Sequence, residues 1–150
     1  MKIVTLTENL AVSAQITLDD VAKIAAAGYK VLINNRPDGE DSHQPASALI
    51  GAAAEAAGLE YHYMPVTAAS FPGPDLEAIT ALFDDPSRPV LAFCRSGTRC
   101  ANLWVAGVAG VAGVAGVADS DLAGAMKVAS QCGFDLGMAS TFIADGVPRQ

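Results

Sequence analysis

Short runs rich in β-branched and aromatic residues alternate along this chain with alanine-rich stretches of ten or more residues. That repeated switch of period constrains the fold more than any single motif. The strand-like runs are 3–6, 10–14, 29–34, 59–66 and 89–93, with Asn9 marking a turn between the first two. Between them the helix signals are local. Thr17 precedes Leu18-Asp19-Asp20 as an N-cap with acids in the first turn, and Gly28 stands where a helix stops. Pro45 can open a second helix that ends at Gly58, a third runs through about Phe83, and another spans Asp119 to Gln131 before Gly133. Strand–helix alternation predicts an α/β domain with a mostly parallel central sheet flanked by helices. Ligands of such sheets bind at the carboxyl ends of the strands, so the loops after Asn34, Val66 and Phe93 should share one rim.

Length and composition narrow the partners. At 150 residues the chain is one domain, and of its 51% apolar residues 29 are alanine and only 9 aromatic. A net charge of −7 argues against nucleic acid as a partner, so an anionic substrate must be held by a local basic spot. Three cysteines (Cys94, Cys100, Cys132) cannot pair completely, and Glu8 interrupts the N-terminus before any leader-like apolar core. A cytoplasmic setting with free thiols is expected. His43 and His62 are far apart and no cysteine pair has zinc spacing, so no metal and no cofactor is expected. Val105 to Ala118 is Val-Ala-Gly four times and then Val-Ala. Glycine and alanine are too weakly apolar to make this a membrane span. It reads as a buried helix whose glycines wind around it rather than lining one face, with a second half that frays into loop.

The chemistry concentrates in Phe93-Cys94-Arg95-Ser96-Gly97-Thr98-Arg99-Cys100, between an apolar strand and a helix. The first amides of a helix are unpaired and bind anions, and a thiolate is itself an anion. Cys94 should therefore be acidic and open to solvent, with Arg95 and Arg99 adding to the effect. Gly97 permits the curl that turns successive N–H groups inward, and Ser96 and Thr98 complete the cradle. The arrangement points to nucleophilic catalysis by Cys94 beneath an oxyanion site.

With Ser13-Ala14-Gln15, Ile33-Asn34-Asn35-Arg36-Pro37-Asp38-Gly39-Glu40 and Tyr63-Met64-Pro65-Val66, this loop resembles the phosphatase-like domain of the bacterial beta-lactamase hydrolase-like proteins over about residues 1–137. The resemblance implies a fold similar to the dual-specificity and tyrosine phosphatases, with 138–150 as a tail packed on or trailing from the domain. Two departures stand out: Cys100 where serine is common, and a long Val-Ala-Gly run.

Loop length divides the functional readings. Tyrosine phosphatases share Cys-x5-Arg, whereas Arg99 follows Cys94 at Cys-x4-Arg, in an order similar to rhodanese-type sulfurtransferases. The shorter ring suggests that Cys94 accepts sulfane sulfur from thiosulfate or a persulfide and passes it to a thiol acceptor. The alternative is hydrolysis of a phosphate ester through a Cys94 phosphoenzyme, and a third reading is a non-catalytic anion or redox sensor. A phosphatase would need a general acid, for which Asp38 and Asp75 are the candidates. Arg36 could bind an anion on the same rim or pair with Asp38 or Glu40. Cys100 could act as a redox partner of Cys94. Cys132 reads as a packing residue, His62 as a half-buried strand histidine and Trp104 as core.

Overall fold

Four of the five strands carry their carboxyl ends to one edge. In the computed structural model, which describes residues 1–112 and 119–145, the strands are β1 (Ile3–Thr5), β2 (Leu10–Ser13), β3 (Val31–Asn34), β4 (Glu60–Tyr63) and β5 (Val90–Phe93). They form one sheet in the order β1-β2-β5-β3-β4, with only the β1–β2 pair antiparallel. The register aligns Ser13 and Asn34 with Phe93, so three loops leave the sheet side by side.

Helices α1 (Leu18–Ala26), α2 (Ser47–Ala56), α3 (Leu76–Phe83), α4 (Thr98–Ala112), α5 (Asp119–Gln131) and α6 (Gly137–Ala144) cover the sheet. Successive strand side chains point to opposite faces, and here both faces are buried. Leu32, Leu91 and Phe93 pack with Ile16, Val21, Ile24 and Ile50 beneath α1 and α2. Val31, Ile33, Val90 and Ala92 pack on the other side with Ile79, Phe83, Leu103 and Trp104 of α3 and α4. This is the mostly parallel α/β sandwich that the alternation predicts.

Local signals act as expected at α1, where Thr17 and Asp20 form a reciprocal capping box. At α2 the start lies two residues beyond Pro45, and Ala46 has no side chain to cap it. Asp38 supplies the cap from a distant loop, its Oδ1 accepting the Ser47 N–H at 2.8 Å. The strand expected over 59–66 is shortened to β4, and beyond Tyr63 the backbone follows the end of β3 into its loop: Met64 N–H bonds to Asn34 O and Val66 N–H to Asn35 O.

The glycine-rich helix is real through Ala112, and Gly107 explains why it tolerates glycine. A Cβ there would stand 3.2 Å from Thr80 Cβ on α3, so the two backbones meet where a side chain would not fit. Gly110 faces open space. The fraying expected in the second half of the repeat concerns residues 113–118, outside those described. Among the described residues, the segment from residue 137 on holds α6, which packs on α4. One expectation needs correction. Cys132 is exposed rather than packed, because it lies past the end of α5 at the turn made by Gly133. Trp104 is core, and His62 pairs at 2.6 Å with Glu60 on the edge strand. Among the described residues, no helix is long and apolar enough to cross a membrane.

Candidate active site

The loop after β5 is stitched to its neighbours by a continuation of the sheet ladder. Cys94 N–H donates to Ser13 O at 3.3 Å, Gln15 N–H to Arg95 O at 3.2 Å and Asn35 N–H to Phe93 O at 2.9 Å. The backbone then curls at Gly97, whose φ of +90° suits glycine alone, and a Cβ there would also press on Phe134 at 3.2 Å. The curl brings the Gly97 N–H to Cys94 Sγ at 3.1 Å. Ser96 Oγ accepts the Thr98 N–H at 3.4 Å and donates to Thr98 Oγ1 at 2.9 Å, tying the loop to the first turn of α4.

The donors gathered by this curl make Cys94 acidic. Its pKa is lowered from 9.0 to about 6, first by a hydrogen bond from the Cys100 thiol, against the opposing effect of burial, and then by the amides of Cys100, Ser96 and Arg99. The sequence expects the helix-start amides to lead with the arginine pair adding to them; the amides do contribute, but the neighbouring Cys100 thiol comes first. Cys100 is pushed well above its ordinary value by burial and by the Cys94 thiolate, so it stays a protonated donor. One expectation fails outright: Cys94 is 0% exposed. The Gly97 amide lies over Sγ at 3.1 Å and Cys100 is likewise fully buried, so the sulfur has no face open to solvent.

The guanidinium groups are held by a residue that motif reading gave no functional role. Glu40 receives Arg99 bidentately, at 2.9 Å from Nη1 and 2.7 Å from Nη2, and also Arg36 Nε at 2.9 Å. Arg99 Nη1 further donates to Val66 O at 3.1 Å, so the loops after β3, β4 and β5 meet on one rim. The Glu40 carboxyl is held below its usual range, chiefly by the Arg99 hydrogen bonds. Arg36 is buried, and its Nη1 donates to Gln15 Oε1 at 3.0 Å. The signal for Glu40 was its place four residues after Arg36.

The remaining candidates divide. Arg95 is exposed and lines, with Arg36, Gln15, Asp41, His43 and Gln44, a cleft of about 260 Å³ beside the loop. Asp38 binds the Ser47 amide, and its own N–H donates to Tyr63 Oη at 2.8 Å, so it serves α2. Asp75 precedes α3 without a side-chain capping bond. Neither carboxylate hydrogen-bonds to the 94–99 loop among the described residues. No group of three or more His, Cys, Asp or Glu among them could hold a metal ion.

A family model for the phosphatase-like domain of beta-lactamase hydrolase-like proteins matches residues 2–111. The beta-lactamase hydrolase-like protein of Xylella fastidiosa (strain Temecula1) is 37% identical over 143 residues, which are 95% of this chain and 32% of that protein. The chain thus spans about a third of the length of that curated relative. A candidate phosphatase of Neisseria meningitidis Z2491, nma1982, is 35% identical with a TM-score of 0.76, over 97% of this chain and 98% of its own. Tk-PTP in its active form, at 15% identity, shares the fold with a TM-score of 0.66 over 97% of this chain and 95% of its own.

Proposed function

The chain belongs to the phosphatase-like domain family of the beta-lactamase hydrolase-like proteins, and on that premise we propose that it hydrolyses phosphate monoesters through a Cys94 phosphoenzyme. One observation carries the proposal: an acidic thiol surrounded by inward amides at the start of a long helix, with a clamped arginine beside it. The Cys94 thiolate attacks phosphorus, the ester P–O bond breaks, and the alcohol oxygen leaves with the electron pair and takes up a proton. Water then attacks the phosphocysteine, and inorganic phosphate departs as the thiolate re-forms. The amides that hold Sγ are those that would turn to the phosphoryl oxygens. Substrate entry must therefore separate the Gly97 amide from the sulfur. With Asp38 engaged at α2, protonation of the leaving oxygen has weak support, which favours aryl over alkyl esters.

Family membership thus reverses the order that loop length suggests. The sulfurtransferase reading stays as the second, favoured by the Cys-x4-Arg ring and by Cys100. A Cys94 persulfide attacked by the Cys100 thiol would give a disulfide and release hydrosulfide. Intact-mass measurement after incubation with an aryl phosphate, and separately with thiosulfate, tells the two apart. A gain of about 80 Da on Cys94 supports phosphoryl transfer, and a gain of about 32 Da that a thiol removes replaces it with sulfur transfer. No adduct and no turnover with either donor leaves the non-catalytic sensor.

A further inference from the structure

The cleft beside the Cys94 loop is charged in a way that hydrolysis of a bare phosphate ester does not use. Arg36 forms one wall. Its Nε is fixed by Glu40 and its Nη1 by Gln15, whose own Nε2 is tied to Ile16 O at 3.0 Å, so the guanidinium is rigid. Among the described residues Nη2 has no acceptor. Arg95 also lines the cleft, exposed and, among the described residues, without an ion pair. Asp41 lines the same space. It accepts the His43 N–H at 3.0 Å and feels the charge of both arginines, yet it pairs with neither among the described residues.

Two guanidiniums and one carboxylate therefore line a common volume, with no ion pair joining Asp41 to either arginine among the described residues. Arg95 and Asp41 are exposed to solvent, so this arrangement carries little cost by itself, but its mixed charge is complementary to a group that is itself divided. An anion alone would meet the arginines and be repelled by Asp41. A carboxylate with a neighbouring O–H or N–H donor meets all three. The cleft begins at the residue after Cys94, and Arg36 shares Glu40 with Arg99, so it is contiguous with the cradle.

We propose that this cleft is a second subsite that selects phosphomonoesters whose far end is a carboxylate flanked by a hydrogen-bond donor, making the substrate a small phospho-acid rather than a phosphoprotein. The inference rests on the phosphatase reading for the first subsite, while its own test is one of binding. The probes are phenyl phosphate, 3-(4-phosphonooxyphenyl)propanoate and 3-(4-phosphonooxyphenyl)lactate, which add the carboxylate and then the hydroxyl. Binding is measured on the folded Cys94→Ser protein, and turnover on the unaltered chain. The carboxylate should tighten binding about tenfold and the hydroxyl severalfold more. Arg95→Ala in the Cys94→Ser background should erase the first step, and Asp41→Asn there should erase only the second. Both readouts are ratios between probes, so a general loss of affinity does not imitate them. Equal binding of the three probes, failure of all three to bind, or equal binding of a phosphotyrosyl peptide without a free carboxylate overturns the subsite. Graded binding without turnover of any probe upholds the subsite and removes the phosphatase reading instead.

Discussion

A thiol as deeply buried as Cys94 would ordinarily keep its proton, since burial penalises the charged form. Here the donors outweigh the burial, and the leading donor is another cysteine. The folded-state value of about 6 lies below the ordinary 9.0, so the thiolate adds stability that is complete above the unfolded value and is lost as pH falls through about 6. Activity, and alkylation of Cys94 by small reagents, should rise along an acid limb near pH 6. Cys100→Ala removes the donor and should move that limb to higher pH, leaving about tenfold less thiolate at pH 6. Cys100→Ser keeps a donor and should restore the limb, whereas an unchanged limb in the alanine variant would show that the amides suffice. Arg99 makes a separate case. Its fork meets both Glu40 oxygens, which a lysine ammonium cannot reproduce, so Arg99→Lys should lower kcat/KM on an aryl phosphate by about tenfold to a hundredfold. Retention of full activity would take Arg99 out of the cradle.

The helix that begins under this loop persists against its composition. Each interior glycine costs about 0.8–1 kcal/mol relative to alanine, so α4 depends on what it packs against. Gly107 lies where α3 crosses closely, whereas Gly110 meets nothing within 4 Å. The two substitutions should therefore differ in sign. Gly107→Ala should destabilise by about 1–3 kcal/mol through overpacking against Thr80, while Gly110→Ala should stabilise by roughly 0.5–1 kcal/mol. Chemical denaturation of both variants measures this, and equal shifts would mean the close approach has no energetic weight. The contrast also marks what was legible in advance. Strand runs, the Thr17 cap and the span of α5 follow from local residue chemistry, and so does the Cys94 loop as an anion-binding turn. The Arg36–Glu40 pair was legible from its spacing, but what escaped was held by more distant partners: the α2 start needs Asp38, the Arg99 arm of the clamp reaches Glu40 fifty-nine residues away, and neither bond leaves a periodic trace. The closure of the loop over Sγ escaped for the same reason, since it depends on where Cys100 packs.

Across the molecule, the Cys94 rim and the C-terminal helix are joined by one buried amide. Asn102, 0% exposed in α4, donates from Nδ2 to Thr98 O and to Asp135 O, each at 2.8 Å, and accepts the Ala139 N–H on Oδ1 at 2.9 Å. It thus bonds the first turn of α4, whose amides face Cys94, to the start of α6. A lone asparagine inside an apolar helix gave no sign of this, because Asp135 and Ala139 lie more than thirty residues on. Asn102→Ala leaves the buried Ala139 amide without an acceptor and two carbonyls without their donor, at a cost of about 2–4 kcal/mol. For a chain of this size that lowers Tm by roughly 5–15 °C. A cavity alone would give a similar number, so the discriminating measurement is amide exchange. Loss of the tether should speed exchange across α6 and the first turn of α4 while leaving α1, on the opposite face of the sheet, near its original rate. Asn102→Asp retains an acceptor for Ala139 and should protect α6 better than alanine does. Uniform acceleration through α1 as well would reduce Asn102 to a core residue, and the rim would then owe nothing to α6.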